Sequence, residues 1–251
     1  SDGSLGIDEI VFFARRSGLE FLALTDHDTM AGVTRAQVLG KRYGLGIIPG
    51  VEISSFDEES GKPVHVLCYL PAKPDRLEGL LHATLERRRA AGEEMLRRVM
   101  RFFPLTKEQA GKYFSNSQSI YRAQIMHALI DLGYDEKIYG PLYNELFGEN
   151  GSCRVCFAYP EVEKVLSAVR DAQGLAVIAH PGERGIVPLC ERLAREGKIQ
   201  GLEVYLPRNS GAVREQLLRL CGTYGIVATG GTDFHGSYSP RPNPLGTCIA
   251  A

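Results

Sequence analysis

Long apolar runs are absent from this sequence. No stretch approaches the roughly 18 consecutive apolar residues of a membrane-spanning helix, and the first residues do not resemble a secretory signal. The sequence therefore predicts a protein that has no membrane partner.

The sequence also has no marked excess of basic or of acidic residues. The 29 Lys and Arg residues nearly balance the 30 Asp and Glu residues, which gives a formal net charge of -1. This balance excludes a whole-chain basic surface that binds nucleic acid, so any anion site must be local. The 44% hydrophobic and 24% charged content is ordinary for a globular chain and argues against disorder or a coiled coil.

Cysteine is too sparse for a disulfide scaffold, with 6 in 251 residues. A reducing, cytoplasmic setting is therefore expected. Cys153 and Cys156 have the spacing of a redox pair or of half a zinc site, but no second such pair completes a four-cysteine site. We interpret both as ordinary thiols.

Short apolar runs alternate with amphipathic stretches along most of the chain, which is typical of parallel β/α units. The predicted strands are residues 21–24, 46–53, 64–70, 175–179, 201–205 and 225–229. Residues 74–157 break this alternation because they contain four helical patterns and no convincing strand. We predict a helical insertion domain at 74–157, between the N-terminal part (1–73) and the C-terminal part (158–251) of one α/β domain.

Carboxylate and imidazole side chains lie in the predicted strands or directly after them. Because the carboxyl ends of parallel strands meet at one edge, we expect these side chains to converge. They are Asp26, His27, Asp28, Glu52, His65, His180, Asp233 and His235. Nitrogen and oxygen ligands of this kind suit Zn, Mn and Fe(II), and their number predicts two or three divalent ions rather than one structural zinc.

These motifs resemble those of the polymerase and histidinol phosphatase (PHP) family of metal-dependent phosphoesterases. The matching motifs are Ser1-Asp2-Gly3, Thr25-Asp26-His27-Asp28-Thr29, Gly50-Val51-Glu52-Ile53-Ser54, His65, Ala179-His180-Pro181-Gly182 and Asp233-Phe234-His235. The resemblance extends to about residue 246. It implies a distorted seven-stranded, TIM-like β/α barrel with a trinuclear metal site. The insert is similar to that of stand-alone family members that act on 3',5'-bisphosphate nucleotides or trim RNA from its 5' end.

The resemblance also implies roles for individual residues. The implied metal ligands are Asp2, His27, Glu52, His65, His180, Asp233 and His235. Glu52 is expected to bridge two ions, and Asp26 and Asp28 are expected to orient His27 or the attacking water. Asp2 and His27 are thereby catalytic candidates together with these two aspartates.

Two arginines of the insert, Arg88 and Arg122, fall where the relatives offer arginine to substrate phosphate. The family also has a His-x-His pair shortly before the position of Asp2, and this sequence starts at Ser1 without one. Because only six strands are predicted, we expect the first strand and its histidines to lie outside the sequence. The alternative is a degenerate form in which one metal position is weakened.

The predicted function is metal-dependent hydrolysis of a phosphate monoester, or of a terminal phosphodiester, in a small nucleotide or at the 5' end of short RNA. A metal-activated hydroxide would attack phosphorus. Duplex nucleic acid is not an expected partner. A histidinol-phosphate-type phosphatase, an amidohydrolase and a non-catalytic accessory or binding module are the alternatives.

Overall fold

The computed structural model describes residues 2–241 and 243–250. The chain divides into two compact units, one helical and one built around a sheet. The helical unit comprises residues 83–158 with two short segments, 2–6 and 235–241. The sheet unit comprises residues 7–82, 159–234 and 243–250.

The sheet has six strands in the described residues, and they neighbour one another in chain order. They are β1 (Phe21–Leu24), β2 (Gly46–Asp57), β3 (Lys62–Tyr69), β4 (Leu175–Ile178), β5 (Gly201–Tyr205) and β6 (Val227–Gly230). Each overlaps one of the predicted strands. The limits of β1 and β5 match the prediction, and β2 continues four residues beyond its predicted end.

The direction of β3 differs from the prediction. The pairs β1–β2, β4–β5 and β5–β6 are parallel, but β3 runs antiparallel to both β2 and β4. Residues 58–61 alone connect β2 to β3. A parallel crossover needs about a dozen residues or more, so this short connection forces a hairpin. The prediction of uniformly parallel β/α units is therefore wrong at β3.

The described residues form ten α-helices, four of which lie within residues 74–157, where four helical patterns were predicted. They are α1 (Ile7–Arg16), α2 (Val33–Tyr43), α3 (Asp75–Val99), α4 (Lys107–Phe114), α5 (Arg122–Asp131), α6 (Pro141–Phe147), α7 (Val162–Asp171), α8 (Pro181–Arg184), α9 (Val187–Arg195) and α10 (Gly211–Tyr224). Among the described residues, none of these helices is both long and apolar enough to cross a bilayer.

The two faces of the sheet differ in character because successive side chains of a strand alternate between them. Val51, Ile53 and Val66 lie on the face that packs in the main apolar core, which also contains Val165 of α7 and Leu193 of α9. Burial of this face contributes to the hydrophobic stabilisation of the sheet unit. The opposite face is therefore available for polar groups.

The helical unit has its own apolar core. Met95, Val99, Ile125, Leu129 and Phe147 are buried together. The helix α4 begins with a capping box, in which Thr106 accepts a hydrogen bond from the Gln109 backbone and the Gln109 side chain accepts one from Thr106. Reciprocal capping of this kind satisfies backbone donors at a helix start and stabilises a short helix.

Candidate metal centre

Three of the predicted ligands meet on the polar face of the sheet. His65 Nδ1 lies 2.6 Å from Glu52 Oε1, and His180 Nε2 lies 3.2 Å from the same oxygen. The two imidazole nitrogens are 3.2 Å apart. His27 is adjacent, because its ring centroid is 4.9 Å from that of His65. One ligand atom from each of His27, Glu52 and His65 fits within a span of 4.8 Å.

The strand register explains this convergence. His65 is paired with Ser54 across β2 and β3. Glu52 lies two residues before Ser54 and so occupies the same face as a diagonal neighbour of His65. His27 forms an isolated parallel bridge with Glu52, in which the Glu52 N–H donates to the Asp26 carbonyl at 3.1 Å.

Burial and proximity determine the charges of these groups. Glu52 and His180 are 7% and 4% exposed. Burial raises the pKa of Glu52, but His27, His65 and His180 outweigh this effect and hold that pKa well below its usual range. Burial lowers the pKa of His65 to about 4. Burial also disfavours the charged form of His180, yet its contact with Glu52 raises the pKa of that imidazole.

The donor set fits a divalent cation. One carboxylate and several imidazoles are ligands that Zn, Mn and Fe(II) accept. In addition, His180 Nδ1 is buried and has no hydrogen-bond partner within the described part of the chain. Buried polar atoms normally have a partner. The cluster therefore has the composition and the unsatisfied polar atom expected of a site that binds a further group.

Asp233 follows β6 in the same unit and has a positive φ of 48°. Its Oδ2 accepts a hydrogen bond from Arg208 Nη2 at 2.6 Å, and Arg208 Nε also donates to Glu183 at 2.9 Å. The charge of Asp233 contributes to the raised pKa of His180. Asp233 thus lies near the cluster with its carboxylate held by an arginine that the sequence did not single out.

Asp28 has a defined backbone contact in the sheet unit. It is 1% exposed, its φ is 55°, and its Oδ1 accepts a hydrogen bond from the Ser54 N–H at 2.9 Å. This contact ties the segment after β1 to the centre of β2. The role predicted for Asp26 and Asp28 in orienting His27 or water stays a prediction.

Asp2 and His235 belong to the helical unit, where Asp2 Oδ2 lies 3.3 Å from His235 Nε2. The His235 carbonyl also accepts a hydrogen bond from the Ser4 N–H at 3.1 Å. The two predicted ligands are therefore neighbours although they lie near opposite ends of the chain. Their assignment as metal ligands stays a prediction.

Arg88 and Arg122 also belong to the helical unit. The Arg88 guanidinium carbon lies 5.3 Å from the centroid of Tyr121 and 5.5 Å from that of Phe157, within the range of cation–π attraction. Arg122 is the first residue of α5. Their assignment to substrate phosphate stays a prediction.

Glu203 of β5 is a candidate functional residue that the sequence reasoning missed. It is 7% exposed, and its Oε2 accepts a hydrogen bond from the His180 N–H at 2.9 Å. Burial raises the pKa of Glu203 to about 7. The sequence does mark Glu203, because it is an acid within an apolar strand, as Glu52 is. No comparable signal marks Arg208.

Comparison with characterised proteins gives several relatives along nearly the full chain, whereas no protein-family model matches it. The phosphoribosyl 1,2-cyclic phosphate 1,2-diphosphodiesterase of Eggerthella lenta is 34% identical over 245 residues, covering 97% of this chain and 93% of the relative. The 3',5'-nucleoside bisphosphate phosphatase of Chromobacterium violaceum is 28% identical, with coverages of 94% and 84%. A 5'-3' exoribonuclease of Haemophilus influenzae is 26% identical, with coverages of 94% and 86%.

Two solved structures superpose on nearly the whole chain. A protein of Bifidobacterium adolescentis assigned as a metal-dependent phosphoesterase superposes with a TM-score of 0.86 at 27% identity, covering 99% of this chain and 88% of that one. A protein of Chromobacterium violaceum described as an amidohydrolase with bound sulfate gives a TM-score of 0.82 at 26% identity, with coverages of 98% and 86%.

The names of the relatives describe the cleavage of phosphate esters, and the Bifidobacterium adolescentis structure is described as a metal-dependent phosphoesterase. The cluster at Glu52, His65 and His180 has the ligand types that this chemistry requires. Sequence motifs, sheet and similarity therefore agree, and the chain belongs to the PHP family of metal-dependent phosphoesterases.

Proposed function

We propose that this phosphoesterase hydrolyses a phosphate ester carried by the ribose of a small nucleotide, of a short RNA end or of a related phosphorylated sugar. The observation that supports it is the convergence of Glu52, His65 and His180 on one face of the sheet. The names of three relatives share a chemical feature, since each substrate carries phosphate on ribose.

We further propose that two or three divalent ions, of Mn, Zn or Fe, bind here, with Glu52 bridging two of them. The ligands would be Asp2, His27, Glu52, His65, His180, Asp233 and His235. When bound, such ions lower the pKa of water and stabilise charge on phosphoryl oxygens. The fold we propose around them is the seven-stranded barrel of the family with its helical insert.

The protonation states of the cluster favour cation binding. Metal ligands must be deprotonated carboxylates and neutral imidazoles. Glu52 is anionic at neutral pH because its pKa is held low, and His65 is neutral because its pKa is about 4. The contact with Glu52 raises the pKa of His180, so a cation would compete with a proton for this imidazole.

The near-neutral net charge of the chain favours a small substrate over a long nucleic acid. The net charge of -1 offers no extended basic track for a duplex. Arg88 and Arg122 would bring two positive charges close to one substrate phosphate. The planar guanidinium group of arginine suits this role because its N–H donors match the geometry of phosphate oxygens. Because few phosphates are contacted at once, we expect activity to depend weakly on salt.

A substrate panel tests this proposal. Hydrolysis is measured with Mn²⁺ for a nucleoside 3',5'-bisphosphate, a phosphoribosyl 1,2-cyclic phosphate, a short 5'-phosphorylated RNA and an internally labelled duplex, each at two salt concentrations. We expect turnover of at least one of the first three and little effect of salt. Efficient internal cutting of the duplex, falling steeply as salt rises, would contradict the small-substrate proposal.

Amidohydrolase activity is the second candidate, because one superposed structure carries that description. Both chemistries use a His and carboxylate cluster, so the cluster alone does not separate them. The same panel therefore includes a cyclic amide and p-nitrophenyl phosphate. Release of p-nitrophenol without cleavage of the amide favours the phosphoesterase, and the reverse result favours the amidohydrolase.

A further inference from the structure

His180 has a backbone conformation that a residue with a side chain rarely adopts. Its φ and ψ are 33° and 49°, in the left-handed region, at the point between β4 and the short helix α8. Such a conformation persists only where the surroundings hold it, and it is often found at functional sites. In this protein it occurs in the residue whose Nε2 lies 3.2 Å from both Glu52 Oε1 and His65 Nδ1.

A hydrogen bond to Glu203 restrains this backbone. β4 and β5 are parallel neighbours in which Ile178 is paired with Leu202. Glu203 therefore lies one residue beyond that pair and His180 two residues beyond it. The Glu203 Oε2 accepts the His180 N–H at 2.9 Å, so its carboxylate links the adjacent strand to the residue with the unfavourable conformation.

The surroundings of Glu203 indicate that this contact is specific. Both Glu203 and His180 are more than nine-tenths buried. Burial of a carboxylate is unfavourable unless its hydrogen bonds are satisfied. Gly231 leaves room for it, because a Cβ at that position would lie 3.2 Å from Glu203 Oε1.

We propose that Glu203 is a positioning residue of the metal centre, which directs the His180 imidazole towards Glu52 and His65 by holding the His180 backbone through its N–H. This inference rests on the proposed function, because it assigns Glu203 a task for the same centre. Glu203 acts through His180, because its carboxylate oxygen accepts the hydrogen bond of the His180 N–H. Groups that orient a metal ligand typically change metal affinity by about 10- to 100-fold when they are removed.

Two substitutions separate the acceptor from the charge. Glu203→Gln keeps an oxygen acceptor at the same reach and removes the charge. Glu203→Asp keeps the charge but shortens the side chain by one methylene, which withdraws the oxygen from the His180 N–H. The exposed Glu215, which pairs with Arg219 on α10, supplies the matched controls Glu215→Gln and Glu215→Asp.

Binding of Mn²⁺ alone to the chelator-treated full chain is measured by electron paramagnetic resonance, with circular dichroism as the check on folding. We expect Glu203→Asp to weaken Mn²⁺ binding by roughly 10-fold or more, Glu203→Gln to stay within about 3-fold of the wild type, and both controls to bind unchanged. Unchanged binding by Glu203→Asp, or a greater loss in Glu203→Gln than in Glu203→Asp, would overturn the positioning role and leave the proposed function intact. A wild-type chain that binds no Mn²⁺ would overturn the positioning role together with the manganese form of the proposed centre.

Discussion

Glu52 and His65 are diagonal neighbours on one face of an antiparallel strand pair, and their side chains meet at 2.6 Å between Oε1 and Nδ1. The connection between β2 and β3 is only residues 58–61. The core of the candidate site is thus built on two adjacent, hydrogen-bonded strands, and such elements hold site geometry more precisely than loops do.

Asp28 is expected to stabilise the folded protein through its contact with Ser54. Asp28→Ala removes the acceptor of the buried Ser54 N–H and places alanine at a φ of 55°. We expect a loss of about 1–3 kcal/mol in the free energy of unfolding of the metal-free protein. Asp28→Asn keeps an acceptor and tolerates the left-handed region, so it should lose less than about 1 kcal/mol.

Urea unfolding followed by circular dichroism measures this difference, since the chain has no tryptophan. Equal stability of Asp28→Ala and Asp28→Asn would contradict the assigned contact.

Arg88 and Arg122 are expected to bind substrate phosphate. Replacing either with alanine should lower kcat/KM by an amount worth roughly 1.5–3 kcal/mol, the range for a hydrogen bond to a charged group. Arg89 is the matched control on α3, because it pairs with Glu86 at 2.6 Å and donates to the Gln118 carbonyl at 3.2 Å. Arg89→Ala should leave kinetics near the wild type. Equal kinetics for all three variants would contradict a role of Arg88 and Arg122 in binding substrate phosphate.

The cysteines should differ in reactivity according to burial. Burial raises the pKa of Cys68 and of Cys190 to about 12, so at pH 8 only a fraction on the order of 10⁻⁴ of each is thiolate. Cys156 is exposed. In the native protein, a thiol reagent at pH 8 should modify Cys156 rapidly and leave Cys68 and Cys190 intact until unfolding, as peptide mass spectrometry would detect. Rapid modification of Cys190 in the folded chain would contradict its burial.

The positions of the strands could be read from the sequence because apolar runs bounded by turns are local features. The predicted limits of the first and fifth strands, 21–24 and 201–205, coincide with β1 and β5. Strand direction is not local, and it was mispredicted for β3. The length of the 58–61 connection contained the missing information, because it is too short for a crossover.

Part of the site could also be predicted from local features of the sequence. Glu52 stands out as an acid in an apolar strand, and β2 does bring it against His65 and His180. Glu203 has the same pattern but lies outside the motifs that resemble those of the PHP family. The contact of Arg208 with Asp233 depends on how two loops approach each other, and neither periodicity nor spacing encodes that approach.

The central claim is that hydrolysis depends on metal bound through Glu52. The most direct measurement is the hydrolysis of a nucleoside 3',5'-bisphosphate, or of whichever ribose phosphate the panel identifies, by the wild type and Glu52→Gln after chelation and after restoring Mn²⁺. The exposed Glu58 in the turn after β2 gives the control Glu58→Gln. We predict that chelation abolishes activity, that Mn²⁺ restores it in the wild type and in Glu58→Gln, and that Glu52→Gln stays at least about 100-fold lower. Activity in Glu52→Gln equal to that of the wild type, or full activity after chelation, would contradict the claim.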